Sequence, residues 1–296
     1  PRTAASPTAR HGRSPPLPEG DSLYRFARRL RPVLEGQVIQ AARSHGPGPV
    51  PKVERIVGAT CTSVRSVGKN LLISFDNGLA LRGHLRMYGT WHVYRPGEPW
   101  ARPEREARLV LEVPGAVVVN FSAPVIELIE ERALDHYQPI AGLGPNLLDD
   151  AFDEEEALRR FRDPARAALT IGDAIMDQRV MAGVGNIWKH ETLFRCGINP
   201  WRTVAELSDN ELRALISKAR ELLRASVGMP GPDGKSQRRP SMYVYSRAGQ
   251  PCRRCYTRLR SAPQGVDIRH TVWCPRCQPI VEGQRVLPAP RTRQPR

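Results

Sequence analysis

Four cysteines set the tightest constraint on this chain. Cys252 and Cys255 form one Cys-x-x-Cys pair, Cys274 and Cys277 form a second, and residues 256–273 lie between them. Each pair makes a knuckle that presents two thiolates, and the spacing suits a small two-hairpin ribbon closed around one tetrahedral Zn²⁺. With sulfur at all four positions no place is left for water, so the ion is expected to fold the hairpin and to do no chemistry. The N-terminal PRTAASPTARHGRSPP carries arginines but no apolar stretch of an export signal. A reducing cytoplasm is therefore expected, where paired cysteines hold metal and are not disulfides. Cys61 and Cys196 read as small buried hydrophobes.

A zinc ribbon cannot account for 296 residues with 40% hydrophobic content, which is enough for two cores. The charge balance is lopsided: 45 Lys and Arg against 30 Asp and Glu leave +15. Such a surface concentrates polyanions, and nucleic acid is the leading partner. No apolar run approaches the roughly 20 residues that span a bilayer, so a membrane role is not expected. Arg253, Arg254, Arg258, Arg260, Arg269 and Arg276 crowd the ribbon; they read either as a nucleic-acid grip or as a solvated basic face.

Residues 1–17 are Pro, Ala, Ser and Arg with little apolar content, and are expected to be disordered. From Leu23 the residues Leu23, Phe26, Ala27, Leu30 and Leu34 recur at helical spacing opposite Arg25, Arg28, Arg29 and Arg31, with Asp21 or Ser22 as N-cap. Strand-like segments follow: VERIVGATCTSVRSVG (53–68), NLLISF, LALRGHL, GTWHVY, ARLVLEV and AVVVNFSA, with Asp76-Asn77-Gly78 as a hairpin turn. This pattern predicts an N-terminal helix with an antiparallel β-sandwich over 18–135. A linker is expected over 136–150 and a helical domain over 151–230, from EEEALRRFRD, TIGDAIMDQ, NIWKHETLFRCG and SDNELRALISKARELLRASVG. The zinc hairpin occupies 240–280 and a basic disordered tail 281–296. The fold class is thus α+β and multidomain.

Three further signals are weaker. Gly183 and Gly185 precede Asn186 and a helix running from Ile187; this is either a turn capped by Asn186 or a helix N-terminus open to a phosphate. Lys69 stands at the mouth of a strand, where most lysines are simply solvated. In HLRMYG, the residues Arg86, Met87 and Tyr88 follow a strand. Met or an aromatic at a loop tip can wedge into a base stack, although residue type alone favours the core.

The order of these features along the chain is more specific than any one of them. PEGDSLYRFARRL, GKNLLISFDNGLALRGHLRMYGTWHVY, DQRVMAGVGNIWKHETLF and RHTVWCPRCQ together resemble the formamidopyrimidine-DNA glycosylase and endonuclease VIII family, over nearly all of residues 18–278. The third of these corresponds to the family's helix-two turns-helix element. NGLALRGHLRMYGTWHVY is more similar to the endonuclease VIII branch, which prefers oxidised pyrimidines. The resemblance implies a bacterial cytoplasmic enzyme on nucleoid DNA, acting as a monomer that closes both domains around one duplex bearing oxidised bases or abasic sites. It is expected to excise the base through a Schiff base on an N-terminal proline and then cut the strand by β,δ-elimination.

By the same resemblance Pro18 is the nucleophile and Glu19 the general acid/base. Lys69 contacts phosphate beside the lesion, and Asn186 and Arg269 pinch the backbone. Met87 fills the space of the flipped nucleotide, with Arg86 and Tyr88 beside it; many endonuclease VIII members carry glutamine in place of Arg86. In VYSRAG, Ser246 stands where the family usually has glycine.

One departure is serious. Joined to Leu17, the nitrogen of Pro18 is a tertiary amide with no free lone pair. Pro1 cannot substitute, because Arg2 and Thr3 follow it where the chemistry wants a carboxylate. Leucine codons TTG and CTG can initiate translation with methionine, which is removed before proline, so the native chain is expected to begin at Pro18. The alternatives are a processed extension, or a noncatalytic lesion-binding protein of the same fold.

Overall fold

The computed structural model describes residues 18–46, 50–229 and 240–280. The segments expected to be disordered, 1–17 and 281–296, lie outside the described residues. Helix α1 (Gly20–Leu34) buries Leu23, Ala27, Leu30 and Leu34 along one side and leaves Arg28 and Arg29 exposed. Its N-cap is Glu19, not Asp21 or Ser22, and the Glu19 side chain makes no bond to its own helix.

Eight strands follow: β1 (Ala41–Ser44), β2 (Cys61–Val67), β3 (Asn70–Phe75), β4 (Leu79–His84), β5 (Thr90–Tyr94), β6 (Ala107–Val113), β7 (Ala116–Phe121) and β8 (Val125–Glu130). They form two antiparallel four-stranded sheets, ordered β1-β6-β7-β5 and β2-β3-β4-β8. The expected turn joins β3 to β4, with Gly78 at φ 76°. The expected strand at 53–68 is corrected in its first part, because Val53–Ile56 is a 3₁₀ turn burying Val53 and Ile56. Two apolar residues three apart suit a three-residue turn, not the period of two of a strand.

Leu71, Ile73 and Leu81 from one sheet and Leu109, Leu111 and Val118 from the other share a core with Leu23, Leu30 and Leu34 of α1. Each fully buried aliphatic side chain contributes about 1.5–3 kcal/mol. Helix α1 is therefore held rigidly along its length, and so is its first turn.

The next part of the chain is helical: α2 (Gln138–Ala141), α3 (Glu154–Phe161), α4 (Ile171–Ala174), α5 (Asn186–Cys196) and α6 (Asp209–Ser226). The helix expected over TIGDAIMDQ is only the single turn of α4. The segment 136–150 holds α2 and buries Leu147 and Leu148 in the helical core with Trp188, Leu193, Leu215 and Leu223. Helix α6 opens on a capping box formed by Ser208 and Glu211. Two strands, β9 (Arg260–Gln264) and β10 (Arg269–Trp273), form the C-terminal hairpin. Buried Glu191 on α5 accepts the backbone N–H groups of Tyr243, Val244 and Tyr245 at 2.9–3.0 Å, fixing the chain that leads into this hairpin.

The two halves meet at α1. Arg25 and Arg28 donate to the carbonyls of Ser226 and Val227 at the end of α6, and Gly20 N–H donates to Gly183 O at 3.0 Å. Among the described residues no helix is long and apolar enough to cross a membrane.

Candidate active site

The junction of α1 with α5 is built around one carboxyl group. Glu19 is 2% exposed, and its oxygens accept N–H bonds from Gly185 (3.0 Å), Ile187 (2.6 Å) and Trp188 (3.2 Å). The helix N-terminus that the glycine pattern left open to a phosphate is thus filled by the protein's own carboxyl. Asn186 is the first residue of the helix and not its cap, which is Gly185. Glycine is required here because a Cβ on Gly185 would land on the Glu19 carboxyl, and one on Gly20 would come within 2.6 Å of Gly183 Cα.

Burial raises the Glu19 pKa to about 7, against the attraction of Lys69 and the pull of the Ile187 and Trp188 N–H groups. Lys69 follows Gly68 in the β2–β3 turn. Its pKa is lowered to about 8, first by burial and further by Arg269, while Glu19 opposes both. A carboxyl raised towards neutrality faces an ammonium lowered towards it, so a proton can be held or released here near pH 7.

Pro18 is half-buried. With Ser22, Phe26, Arg29, Met87 and Tyr88 it lines a cavity of about 430 Å³. Met87 and Tyr88 occupy the turn between β4 and β5, which is closed by Gly89 N–H to Leu85 O at 3.0 Å. Leu85 takes the core position, and the tip stands out: Met87 is 50% exposed and Tyr88 70%. The core placement that residue type favoured for Met87 is therefore corrected. Arg86 is exposed at φ 44° and does not line the cavity; its N–H donates to His84 Nδ1.

Arg269 begins β10, is exposed, and pairs with Asp267 at 3.0 Å. It is close enough to Lys69 to lower that ammonium's proton affinity. Asn186 lies between Gly185 and Ile187, both bonded to Glu19, and its Oδ1 is buried without a partner among the described residues. Pro18, Glu19, Lys69, Asn186 and Arg269 are thus gathered at one junction of four elements. Glu191 and the fully buried Lys189 carry no local signal: a lone charge within a helix reads as solvated.

The four cysteine Sγ atoms lie within 4.8 Å of one another, with 3.9 Å from Cys252 to Cys277 and 3.4 Å from Cys255 to Cys274. A tetrahedral ion bound at about 2.3 Å places its sulfurs about 3.8 Å apart, so the four thiolates fit one such ion. Of the surrounding arginines, Arg254 lies over the Phe194 ring at 4.6 Å, and it is exposed, as are Arg253, Arg258, Arg260 and Arg276. Cys61 is fully buried, whereas Cys196 is only partly so.

The formamidopyrimidine-DNA glycosylase N-terminal domain model matches residues 17–124, and that family's H2TH domain model matches residues 143–237. The chain is 37% identical over 266 residues to a protein named "Probable endonuclease 8 2" of Streptomyces coelicolor, covering 88% of this chain and 94% of that one. It is 34% identical over 267 residues to the DNA-(apurinic or apyrimidinic site) lyase Nei2 of Mycolicibacterium smegmatis, covering 88% and 99%. In fold it resembles Lactococcus lactis formamidopyrimidine-DNA glycosylase bound to abasic-site DNA, with TM-score 0.75 at 22% identity over 88% of this chain and all of that one. The chain belongs to the formamidopyrimidine-DNA glycosylase and endonuclease VIII family.

Proposed function

We propose that this protein is a bifunctional DNA glycosylase and abasic-site lyase that removes oxidised bases, chiefly pyrimidines, from duplex DNA. The observation that carries this reading is the Glu19 carboxyl, buried next to Pro18, anchored on α5 and facing Lys69.

With its nitrogen free, Pro18 attacks C1′ of the damaged nucleotide. The C1′–N bond breaks and the base leaves with the electron pair, taking up the proton that the Pro18 nitrogen loses. Glu19, neutral below about pH 7, gives its proton to O4′ as the C1′–O4′ bond opens, leaving an iminium between Pro18 and C1′. The iminium acidifies C2′; loss of that proton expels the 3′-phosphate, and a second elimination expels the 5′-phosphate. Lys69 stabilises phosphate charge beside the lesion, while Asn186 and Arg269 hold the flanking backbone. Flipping costs a few kcal/mol of stacking, and Met87 on its exposed turn fills the vacated space, flanked by Arg86 and Tyr88. The net charge of +15 supplies the attraction to the backbone.

Protein that begins at Pro18, mixed with duplexes carrying thymine glycol, dihydrouracil, oxidised guanine or an abasic site and treated with borohydride, tests this directly. A covalent adduct is expected on all four, with the two pyrimidines excised faster than oxidised guanine. A preference for oxidised guanine would overturn the pyrimidine assignment, and no adduct on any duplex would overturn the chemistry.

Zn²⁺ is the ion assigned to Cys252, Cys255, Cys274 and Cys277, where it would cross-link the hairpin that carries Arg269. Metal analysis should return one zinc per chain. Chelation should weaken duplex binding by at least about 10-fold while the β-sandwich stays folded. Unchanged binding after complete zinc loss would sever the link between the ion and Arg269.

A further inference from the structure

Lys189 is an ammonium with almost nothing to bond to. It is 0% exposed on α5, and its one hydrogen-bond partner among the described residues is Thr271 Oγ1 at 2.7 Å. Thr271 is also fully buried and donates its own proton to Gln264 Oε1 at 2.8 Å. Gln264 passes the chain on through Nε2 to Thr170 Oγ1 (3.0 Å), whose hydroxyl donates to Asp173 Oδ2 (2.7 Å). The nearest carboxylate in this network is thus three neutral side-chain links away. A buried cation with three N–H donors and one neutral acceptor is costly, and it keeps its proton only with help from a nearby anion.

The charged groups that face Lys189 come from every element around it. Asp173 on α4 and Glu19 ahead of α1 favour the charged form, and Arg269 on β10 opposes it; burial is the largest effect, and together they lower the ammonium pKa to about 8. His190, next on the helix, does not compete. Its Nε2 accepts from Val272 N–H and its Nδ1 is bonded to Asn186 O, and burial with the Lys189 charge lowers its pKa to about 3. Lys189 is one turn from Asn186 on the same helix face, and its partner Thr271 is two residues from Arg269 on one face of β10. It therefore lies behind both groups assigned above to the DNA backbone.

We infer that Lys189 is a hidden positioning residue for DNA: phosphate held by Asn186 and Arg269 is the anion that its ammonium lacks, and the two stabilise each other without touching. This rests on the proposed assignment of Asn186 and Arg269. Because the coupling is reciprocal, duplex binding must raise the proton affinity of Lys189 as much as its charge raises duplex affinity. Free protein at pH 8 is about half protonated at this position, so binding draws up to about half a proton from solution.

The test is calorimetric titration with a duplex containing a tetrahydrofuran abasic analogue, which binds but is not cut. It is run at pH 8 in two buffers of different ionisation enthalpy, on wild type, Lys189→Met and Lys189→Arg. Lys69 and a free Pro18 amine titrate in the same range, so the difference between proteins carries the result. Both variants should take up fewer protons than wild type. Lys189→Met should bind several-fold more weakly at pH 7, with the gap closing towards pH 10. Lys189→Arg, always charged at this position, should lose less affinity than wild type above pH 8. The arginine variant also serves if the methionine variant does not fold, since loss of packing alone would not lower proton uptake in a protein that keeps the charge. Equal proton uptake in wild type and variants overturns the inference while leaving the glycosylase reading intact. A wild type that cuts abasic duplex but gains no proton on binding does the same, and one that binds no abasic duplex overturns both.

Discussion

Protein whose first residue is Pro18 is expected to cut abasic-site duplex and to be trapped on it by borohydride, whereas the same chain with Leu17 still joined to Pro18 should do neither. The expected difference is at least about 10³-fold in single-turnover rate, the scale on which removal of an essential nucleophile is felt. In the peptide bond the nitrogen lone pair is delocalised into the Leu17 carbonyl, so no electron pair is available for C1′. As a terminal secondary amine with pKa near 7.7–8.0, about a tenth to a sixth is neutral and nucleophilic at pH 7 without further help. The fold places this atom well. Two residues on, Gly20 is bonded to Gly183, and the intervening Glu19 is fixed on α5, so Pro18 is held at the wall of the cavity it shares with Met87. The N-terminal domain model of the family also begins its match at residue 17. Intact-mass measurement must accompany the assay, because partial removal of residues 1–17 would mimic activity. Fully active material that retains the Leu17–Pro18 bond would take Pro18 out of the chemistry and turn attention to a noncatalytic or differently catalysed role.

How much of this was legible in the chain follows from how local each signal is. The Cys-x-x-Cys pairs and Asn77-Gly78 specify geometry within a few residues, and both the thiol cluster and the β3–β4 turn lie where their spacing puts them. The apolar face of α1 is equally local. The strand reading failed at Val53–Ile56, where β-rich composition hid a spacing of three. It also overlooked β1 and β8, one edge strand of each sheet, with few fully buried positions. Family resemblance named a set of candidate residues, and the fold brings Pro18, Glu19, Lys69, Asn186 and Arg269 together, but the wiring among them was not legible. Gly183-x-Gly185-Asn186 has the composition of an anion-binding turn, and only the folded chain reveals Glu19, more than 160 residues earlier, as the carboxyl group that fills it. Lys189 and Glu191 acquire meaning in the same way, from partners on β10 and on the 243–245 segment that no local window contains.

Glu19→Gln should lower the rate of base excision by about 10²–10⁴-fold, the range of a lost general acid, while duplex affinity changes little. Glutamine matches the size of the carboxyl but has no proton to give to O4′. The pH profile separates this from simple damage to the site. In wild type the acid form of Glu19 is lost as pH rises through about 7, so excision should fall on that limb, opposed at lower pH by the need for a neutral Pro18 amine. In Glu19→Gln the falling limb should vanish, leaving a slow rate that rises and then levels. Stability should respond with a definite sign as well. A carboxyl raised from 4.5 unfolded to about 7 folded binds more protons in the native state, so its contribution is full below pH 4.5 and is lost as pH rises through 7. Denaturant unfolding between pH 5 and 8 should show this loss as a falling difference in stability between wild type and the glutamine variant, because His84 and His190, lowered by burial to about 4 and about 3, add an opposite slope common to both proteins. Glutamine also turns an NH₂ group towards one of the N–H donors of Gly185, Ile187 and Trp188, leaving that donor unpaired at a cost of about 1–3 kcal/mol, so the variant must be compared at equal folded fraction. A variant that excises bases at the wild-type rate, or keeps the falling limb near pH 7, would place the acid on another group. Lys69, lowered to about 8 and coupled to the same carboxyl, would then be the one to replace next.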